Sequence, residues 1–191
     1  MGYDTYFRGS FKFNKPVDDW LVDYINKFNK TRRMKRSNEQ IKANFHNWKE
    51  LCFNGELGNE GEYFIGGIGH YGQYCDTSVL NGNCPPARQP GLWCQWIIGG
   101  DNDELVWDEG EKFYDYYDWL FYMIKHFFEP LGYVLNGEIE FEGEESEDFG
   151  VICVTENVIS MQYGIRVNSI NEIETNKLIA ELESRGYAVS K

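Results

Sequence analysis

The segment of residues 111–141 constrains the fold most, because it joins a strongly apolar helical pattern to a strand pattern. In residues 111–130, EKFYDYYDWLFYMIKHFFEP, apolar side chains recur at the three- and four-residue spacing of an amphipathic helix. Rings also lie off that stripe, so the helix is predicted to be buried on two faces or to form an interface. We expect Asp108 to cap the helix and Pro130 to end it. The main stripe consists of Phe113, Tyr117, Leu120, Ile124 and Phe128.

Three other segments predict helices. The first follows Pro16, where apolar side chains again recur at helical spacing. The second follows Ser37, which is suited to capping a helix. The third is expected to run from Asn171 to Gly186. The expected buried side chains of the second helix are Ile41, Phe45, Trp48 and Leu51, and those of the third are Ile173, Leu178, Ile179 and Leu182.

Strand patterns occupy most of the remaining chain. Residues 3–13 alternate rings with small or polar residues, and residues 92–107 indicate two strands joined by the turn GGDND. Residues 132–167 indicate three more strands. Because neighbouring strands follow one another without helices between them, an antiparallel sheet is favoured. We therefore predict an α+β fold, a mostly antiparallel sheet with helices packed on one face, in a single domain of residues 1–191.

The charge of the chain excludes several classes of partner. A formal net charge of −13 disfavours sequence-independent binding to DNA, RNA or anionic membranes, because phosphate groups repel such a surface. A protein partner, and a basic one in particular, fits better. No apolar run approaches the ~18 residues of a membrane helix, and no secretory signal is visible, so we expect a cytoplasmic protein. Five cysteines at irregular spacing favour reduced, mostly packed thiols.

The first candidate site is an acidic segment that begins on a predicted strand. Alternation along that strand places its first three glutamates on one face, where like charges repel unless a cation or basic partner relieves them. The segment is either a docking surface that imitates a nucleic-acid backbone or a solvated outer face that keeps the protein soluble. The acidic segment consists of Glu138, Glu140, Glu142, Glu144, Glu145, Glu147 and Asp148.

The second candidate site is the basic cluster in the sequence TRRMKR, which interrupts an otherwise acidic chain. Guanidinium groups bind phosphate or carboxylate groups through paired hydrogen bonds, so a ligand with such a group is one interpretation. The alternative is that these cations pair with acidic residues of the same chain. The basic cluster consists of Arg32, Arg33, Lys35 and Arg36.

Metal and catalytic motifs are weak in this sequence. His70, Cys75, Cys84 and Cys94 are soft ligands, but they lack the close C-x2-C pairs of zinc sites. No phosphate-binding loop, nucleophile elbow or zinc-protease motif occurs. We therefore predict no metal site, no cofactor and no catalytic residue, and we favour a protein that is not an enzyme.

Several segments together carry a family resemblance: GYDTYFRGSF, TRRMKR, PPARQPGLWCQW, WDEGEKFY and GYVLNGEIEFEGEESEDFGVI. They resemble a family of uncharacterised proteins of phages, prophages and bacteria, over residues 2 to about 160. The resemblance implies no activity, cofactor or catalytic residue. It does imply a small accessory protein that acts on host machinery or host defence.

Two hypotheses about function follow. The first is an acidic, non-enzymatic interaction protein, phage- or prophage-encoded, that acts in the host cytoplasm and inhibits a basic or nucleic-acid-handling host protein, such as a defence protein. The second is a small-ligand or nucleotide-binding protein, or an enzyme, built on Arg32, Arg33 and the loop of residues 71–95. Self-association through the aromatic helix is a further prediction.

Overall fold

A six-stranded antiparallel sheet forms the frame of the protein, whose computed structural model describes residues 2–66, 76–164 and 172–187. The strands are β1 (Thr5–Phe13), β2 (Lys35–Arg36), β3 (Val79–Asn81), β4 (Trp96–Gly99), β5 (Glu104–Trp107), β6 (Leu135–Gly143), β7 (Phe149–Thr155) and β8 (Val158–Tyr163). The helices are α1 (Asp19–Asn29), α2 (Asn38–Asn44), α3 (Tyr116–Met123) and α4 (Glu172–Ser184). The large sheet has the order β4-β5-β1-β6-β7-β8, and β2 and β3 form a small separate sheet. The prediction of an α+β fold is confirmed.

The core lies between one face of the large sheet and the helices α1 and α3. Phe7, Phe11 and Phe13 of β1 point to this inner face, as do Ile139 and Phe141 of β6. Rings from the strands meet rings from the helical segments edge to face, which is the geometry that aromatic pairs prefer. The high aromatic content of the chain is therefore used mainly to fill one core.

Two glycines allow the central strands to approach closely. Gly9 of β1 has φ +116°, and Gly137 of β6 has φ +138°. A Cβ atom at Gly9 would lie 2.6 Å from the carbonyl oxygen of Glu138, and one at Gly137 would lie 2.8 Å from that of Ser10. Any side chain at either position would therefore collide with the neighbouring strand.

The aromatic helix begins later than the sequence predicts. The prediction that Asp108 caps it is wrong, because the Asp108 carboxylate accepts a hydrogen bond from Asn29 Nδ2 at 2.8 Å, and the residues that follow form a loop. Left-handed backbone at Lys112 and Asp115 delays the helix until Tyr116. The helix continues from Ile124 as a π-helical turn and then as a 3-10 turn containing Pro130. Burial on two faces, one of the two predicted alternatives, is observed for Trp119, Leu120, Tyr122, Met123, Ile124, Phe127 and Phe128.

The other helices are shorter or more exposed than predicted. Ser37 caps α2 through a hydrogen bond from the Gln40 amide, but the helix ends at Asn44 and only Ile41 of its predicted stripe is fully buried. Helix α4 is present, yet Leu178 is 38% exposed, so its predicted inward position is wrong. The prediction for Ile173 concerns a side chain outside the described residues. No described helix is long and apolar enough to cross a membrane.

Candidate functional site

The acidic segment begins on the outer face of the large sheet, the face opposite α1 and α3. Glu138, Glu140 and Glu142 all point to this face and are exposed, while Ile139 and Phe141 between them are buried. The alternation predicted from the sequence is therefore confirmed for this strand. Alternate residues of a strand are about 6.8 Å apart, so the three glutamates form a row of about 14 Å along β6. We call them the acidic row.

The cross-strand neighbours of the acidic row are mostly uncharged. On β1, Arg8 lies directly opposite Glu140, while Tyr6 and Ser10 lie opposite the other two glutamates. On the other side, β7 offers uncharged residues, among them Cys153 opposite Glu138. Burial, and to a smaller extent the charge of Glu138, raises the pKa of the Cys153 thiol. The acidic row is thus a band of negative charge with one cross-strand cation.

The rest of the acidic segment forms the turn between β6 and β7, and the N-terminus holds it in place. Tyr3 donates its hydroxyl proton to Asp148 Oδ2 at 2.6 Å, and that hydrogen bond raises the pKa of Tyr3. The Tyr3 hydroxyl also accepts from the Glu145 amide, and the Asp4 amide donates to Glu144 Oε1 at 3.1 Å. The remaining member, Glu147, is exposed. The structure therefore presents the acidic segment as one continuous strand and turn.

The basic cluster differs from the acidic segment in its burial. Arg33 is only 1% exposed. Its guanidinium donates to the carbonyl oxygens of Glu62 at 2.6 Å and Phe64 at 2.9 Å, and to Gln89 Oε1 at 3.2 Å. It also lies 4.0 Å from the centre of the Phe28 ring. Burial lowers the pKa of Arg33 to about 10, so the side chain stays protonated at neutral pH.

The other cations of the basic cluster also contact the protein itself. Arg36 is 2% exposed and donates to Asp76 and Ser78, each at 2.7 Å. Burial opposes ionisation of Asp76, but the hydrogen bonds from Ser78 and Arg36 outweigh it and lower the Asp76 pKa. Lys35 pairs with Glu60 at 3.0 Å, and Arg32 donates to the Gly82 carbonyl oxygen at 3.0 Å. These contacts favour the intramolecular alternative, although the Nη2 atom of Arg36 is buried without a hydrogen-bond partner among the described residues.

A buried polar network extends from Arg33 and was not predicted. Glu62 is fully buried, accepts from Tyr122 Oη at 2.9 Å and pairs with Arg88 at 2.5 Å. Gln89 donates to the Glu62 carbonyl oxygen at 2.6 Å and to Tyr122 Oη at 3.1 Å. The partners lie 26 to 60 residues from Glu62 along the chain. No local pattern could have revealed them, because the network depends on packing between distant segments.

His126 lies at the edge of this network. Its Nδ1 atom is 3.0 Å from Tyr63 Oη, and its ring stacks on Tyr122 with centroids 4.3 Å apart. Burial lowers the pKa of His126, so the imidazole is neutral at pH 7.

A cleft of about 310 Å³ opens between α1 and the segment after α2. Trp20 and Tyr24 line one wall, and Lys49, Glu50 and Cys52 line another. Burial raises the pKa of Cys52 to about 11, so its thiol is a poor nucleophile at neutral pH. Volumes of this size are at the lower end of ligand pockets.

Four of the five cysteines lie in the part of the chain that the structure describes. Cys52 and Cys94 are buried, Cys153 is half-buried and Cys84 is exposed, all as free thiols. His70 and Cys75 lie outside the described residues. In residues 2–66, 76–164 and 172–187, no three His, Cys, Asp or Glu side chains are grouped to hold a metal ion.

Comparison of the chain with protein-family models, with curated proteins and with solved structures finds no match.

Proposed function

We propose that the protein is an acidic interaction protein whose acidic row binds a basic protein partner. The observation that carries this proposal is the position of Glu138, Glu140 and Glu142 in one exposed row on the outer face of β6. Like charges directly along a sheet face cost stability in the free protein. A partner that supplies cations removes that cost, so binding gains from the relief of repulsion.

The geometry also defines which partners fit. Carboxylates about 6.8 Å apart give half the linear charge density of one DNA strand, which has a phosphate every 3.4 Å along the axis. The row therefore suits a lysine- or arginine-bearing protein surface of moderate charge density, and the turn of the acidic segment extends it at one end. Electrostatic attraction of this kind accelerates association and weakens with salt.

The biological role that we propose follows from this partner class. A basic protein that handles nucleic acid would have its binding surface covered by the acidic segment. The resemblance to phage and prophage proteins supports an inhibitory role against a host defence protein in the host cytoplasm.

The test is capture of partners from host lysate with the wild-type protein and two triple variants. The first variant reverses the row with Glu138→Lys, Glu140→Lys and Glu142→Lys. The matched control reverses Glu39, Glu50 and Glu111, which are exposed elsewhere, so both variants have the same net charge. We expect the row variant to lose the captured basic protein and the control to retain it. Equal capture by all three proteins would contradict the proposal.

Small-ligand binding is a second candidate function, because the buried Nη2 of Arg36 has no hydrogen-bond partner in the described chain. An anionic ligand that reached this atom would satisfy a donor that is costly to leave unpaired. Thermal shift with inorganic phosphate and with nucleotides tests it, since a ligand at 100 times its Kd stabilises by about 2.7 kcal/mol. An unchanged Tm with every ligand would contradict this candidate.

Self-association through the aromatic helix stays a prediction from the sequence. Trp119 and Tyr122 of α3 are buried in the core, so the surface available for a second copy centres on Phe121, which is 52% exposed, and on Tyr114 in the preceding loop.

A further inference from the structure

We propose that β8 pairs with β8 of a second copy of this chain, so that two six-stranded sheets join into one. The strand is the last in the order β4-β5-β1-β6-β7-β8, and one of its edges has no neighbouring strand in the described residues. The proposal is independent of the acidic row and of the partner that the row binds.

The register of the hairpin shows which backbone groups are available. β7 and β8 are joined by a two-residue turn, Glu156 and Asn157, both with positive φ. In such a hairpin the pair Thr155 and Val158 exchanges hydrogen bonds, and narrow and wide pairs then alternate. The bond from the Gly164 amide to the Phe149 carbonyl oxygen at 2.8 Å agrees with this phase. The residues whose N–H and C=O groups point to the open edge are therefore Ile159, Met161 and Tyr163.

The same three residues also leave apolar surface at this end of the sheet. Ile159 and Met161 pack against the core but are only partly buried, and Tyr163 is 50% exposed. Natural proteins usually protect an edge strand with charges, proline or a bulge, because an open ladder invites another strand. From Val158 to Gly164 the sequence is VISMQYG, which contains no charge and no proline.

A second copy fits this edge in an antiparallel arrangement centred on Met161. Met161 then faces Met161 of the second copy, and Ile159 faces its Tyr163, so each of these pairs exchanges two N–H···O bonds. The pairing of Ile159 with Tyr163 is a β-branched and aromatic contact, a type that stabilises sheets. Such a two-fold interface is the commonest symmetry of protein oligomers.

The charge of the chain does not oppose this interface. The acidic rows of the two copies would be separated by β7 and β8 of each copy, a distance of about 24 Å at ~4.8 Å per strand. The Debye length is about 8 Å at physiological ionic strength, so the repulsion between the rows is screened. On the outer face of the proposed interface, Ser160 of one copy lies opposite Gln162 of the other, and neither side chain is charged.

The experiment measures the mass of the full chain by light scattering and sedimentation velocity from about 1 µM to about 200 µM, a range that covers a micromolar Kd. We expect the wild-type protein to pass from monomer to dimer. Among the backbone groups, Met161→Pro removes only an N–H at the open edge and leaves the hydrogen bonds to β7, although it also removes a side chain that packs against the core. It should stay monomeric with an unchanged circular dichroism spectrum. Met161→Leu should dimerise as the wild type does, and so should Phe121→Asp, which disrupts the exposed ring of α3 instead.

Three outcomes would overturn the proposal: a wild-type monomer at every concentration, a Met161→Pro dimer, or loss of the dimer in Phe121→Asp alone. If Met161→Pro does not fold, hydrogen exchange of the wild-type protein decides. The amides of Ile159, Met161 and Tyr163 should exchange more slowly as protein concentration rises, because the second copy covers them. Exchange that is independent of concentration would also overturn it, including slow exchange caused by coverage from the same chain.

Discussion

The acidic row on β6 and the basic cluster that leads into β2 are both dense runs of charge in the sequence, yet the structure places them oppositely. Glu138, Glu140 and Glu142 are exposed, whereas Arg33 and Arg36 are almost fully buried. The difference arises from partners. Each buried guanidinium has acceptors within hydrogen-bond distance, while the cross-strand neighbours of the three glutamates are uncharged except for Arg8. Charge density in a sequence therefore does not indicate a binding surface by itself.

The two regions also differ in what they contribute to the free protein. Hydrogen bonds from Arg33 connect the segments that contain Glu62, Phe64 and Gln89, so the buried cation stabilises packing between distant parts of the chain. Along the acidic row, repulsion between like charges opposes the stability of the sheet. The proposed function gives this row a use outside the fold, because a basic partner would relieve the repulsion.

The largest expected effect is the loss of stability on replacing Arg33. Arg33→Ala removes three hydrogen bonds, among them the one to the Phe64 carbonyl oxygen, and opens a cavity beside Phe28. We expect the free energy of unfolding to fall by about 3–5 kcal/mol. Urea denaturation measures it.

The matched control is Arg32→Ala, in the adjacent position of the basic cluster. Arg32 is half-buried and makes one hydrogen bond, to the Gly82 carbonyl oxygen. Its replacement should cost about 1 kcal/mol. Equal losses for the two variants would remove the contrast between a buried and an accessible member of the cluster.

The sequence predicted the outside of the molecule better than its charged interior. The faces of β6 follow from alternation of Glu140 with Ile139 and Phe141, a local rule that any strand with one buried face obeys. The predicted start of α3 was wrong, because the left-handed backbone at Asp115 delays the helix and depends on tertiary packing. Burial of Glu62 could not be predicted, because its partners lie on segments that only folding brings together.

A smaller effect is expected for Tyr122, which connects two members of the buried network. Tyr122→Phe removes the hydroxyl that donates to Glu62 and accepts from Gln89. Leaving these buried groups unpaired should lower the free energy of unfolding by about 1–3 kcal/mol. The control is Tyr6→Phe on the outer face, where the ring is 59% exposed and the cost should be within about 0.5 kcal/mol. A neutral Tyr122→Phe would show that the network does not stabilise the fold.

Neutralising the acidic row should raise the free energy of unfolding, whereas the substitutions above lower it. Glu138→Gln, Glu140→Gln and Glu142→Gln together remove the repulsion along β6, and we expect a gain of about 1 kcal/mol at low salt. The gain should shrink in about 1 M salt, where the Debye length is only ~3 Å. Denaturation of both proteins at two salt concentrations measures it. A loss of stability would mean that the row is already paired within the chain.

The smallest expected effect is the pH dependence of the free energy of unfolding that His126 contributes. Burial lowers the pKa of His126 in the folded protein, so around and below its ordinary value of about 6.5 the unfolded chain binds more protons than the folded one. The stability that the neutral imidazole contributes is therefore complete above that value and is lost as the pH falls through the lower, folded-state pKa. We compare wild type and His126→Gln by urea denaturation between about pH 8 and pH 5. Loss of the stacking on Tyr122 should give the variant a constant offset, and the wild type should lose more stability than the variant as the pH falls. If the difference in free energy of unfolding between the two proteins stays the same at every pH, folding does not lower the pKa of His126, and the prediction is wrong.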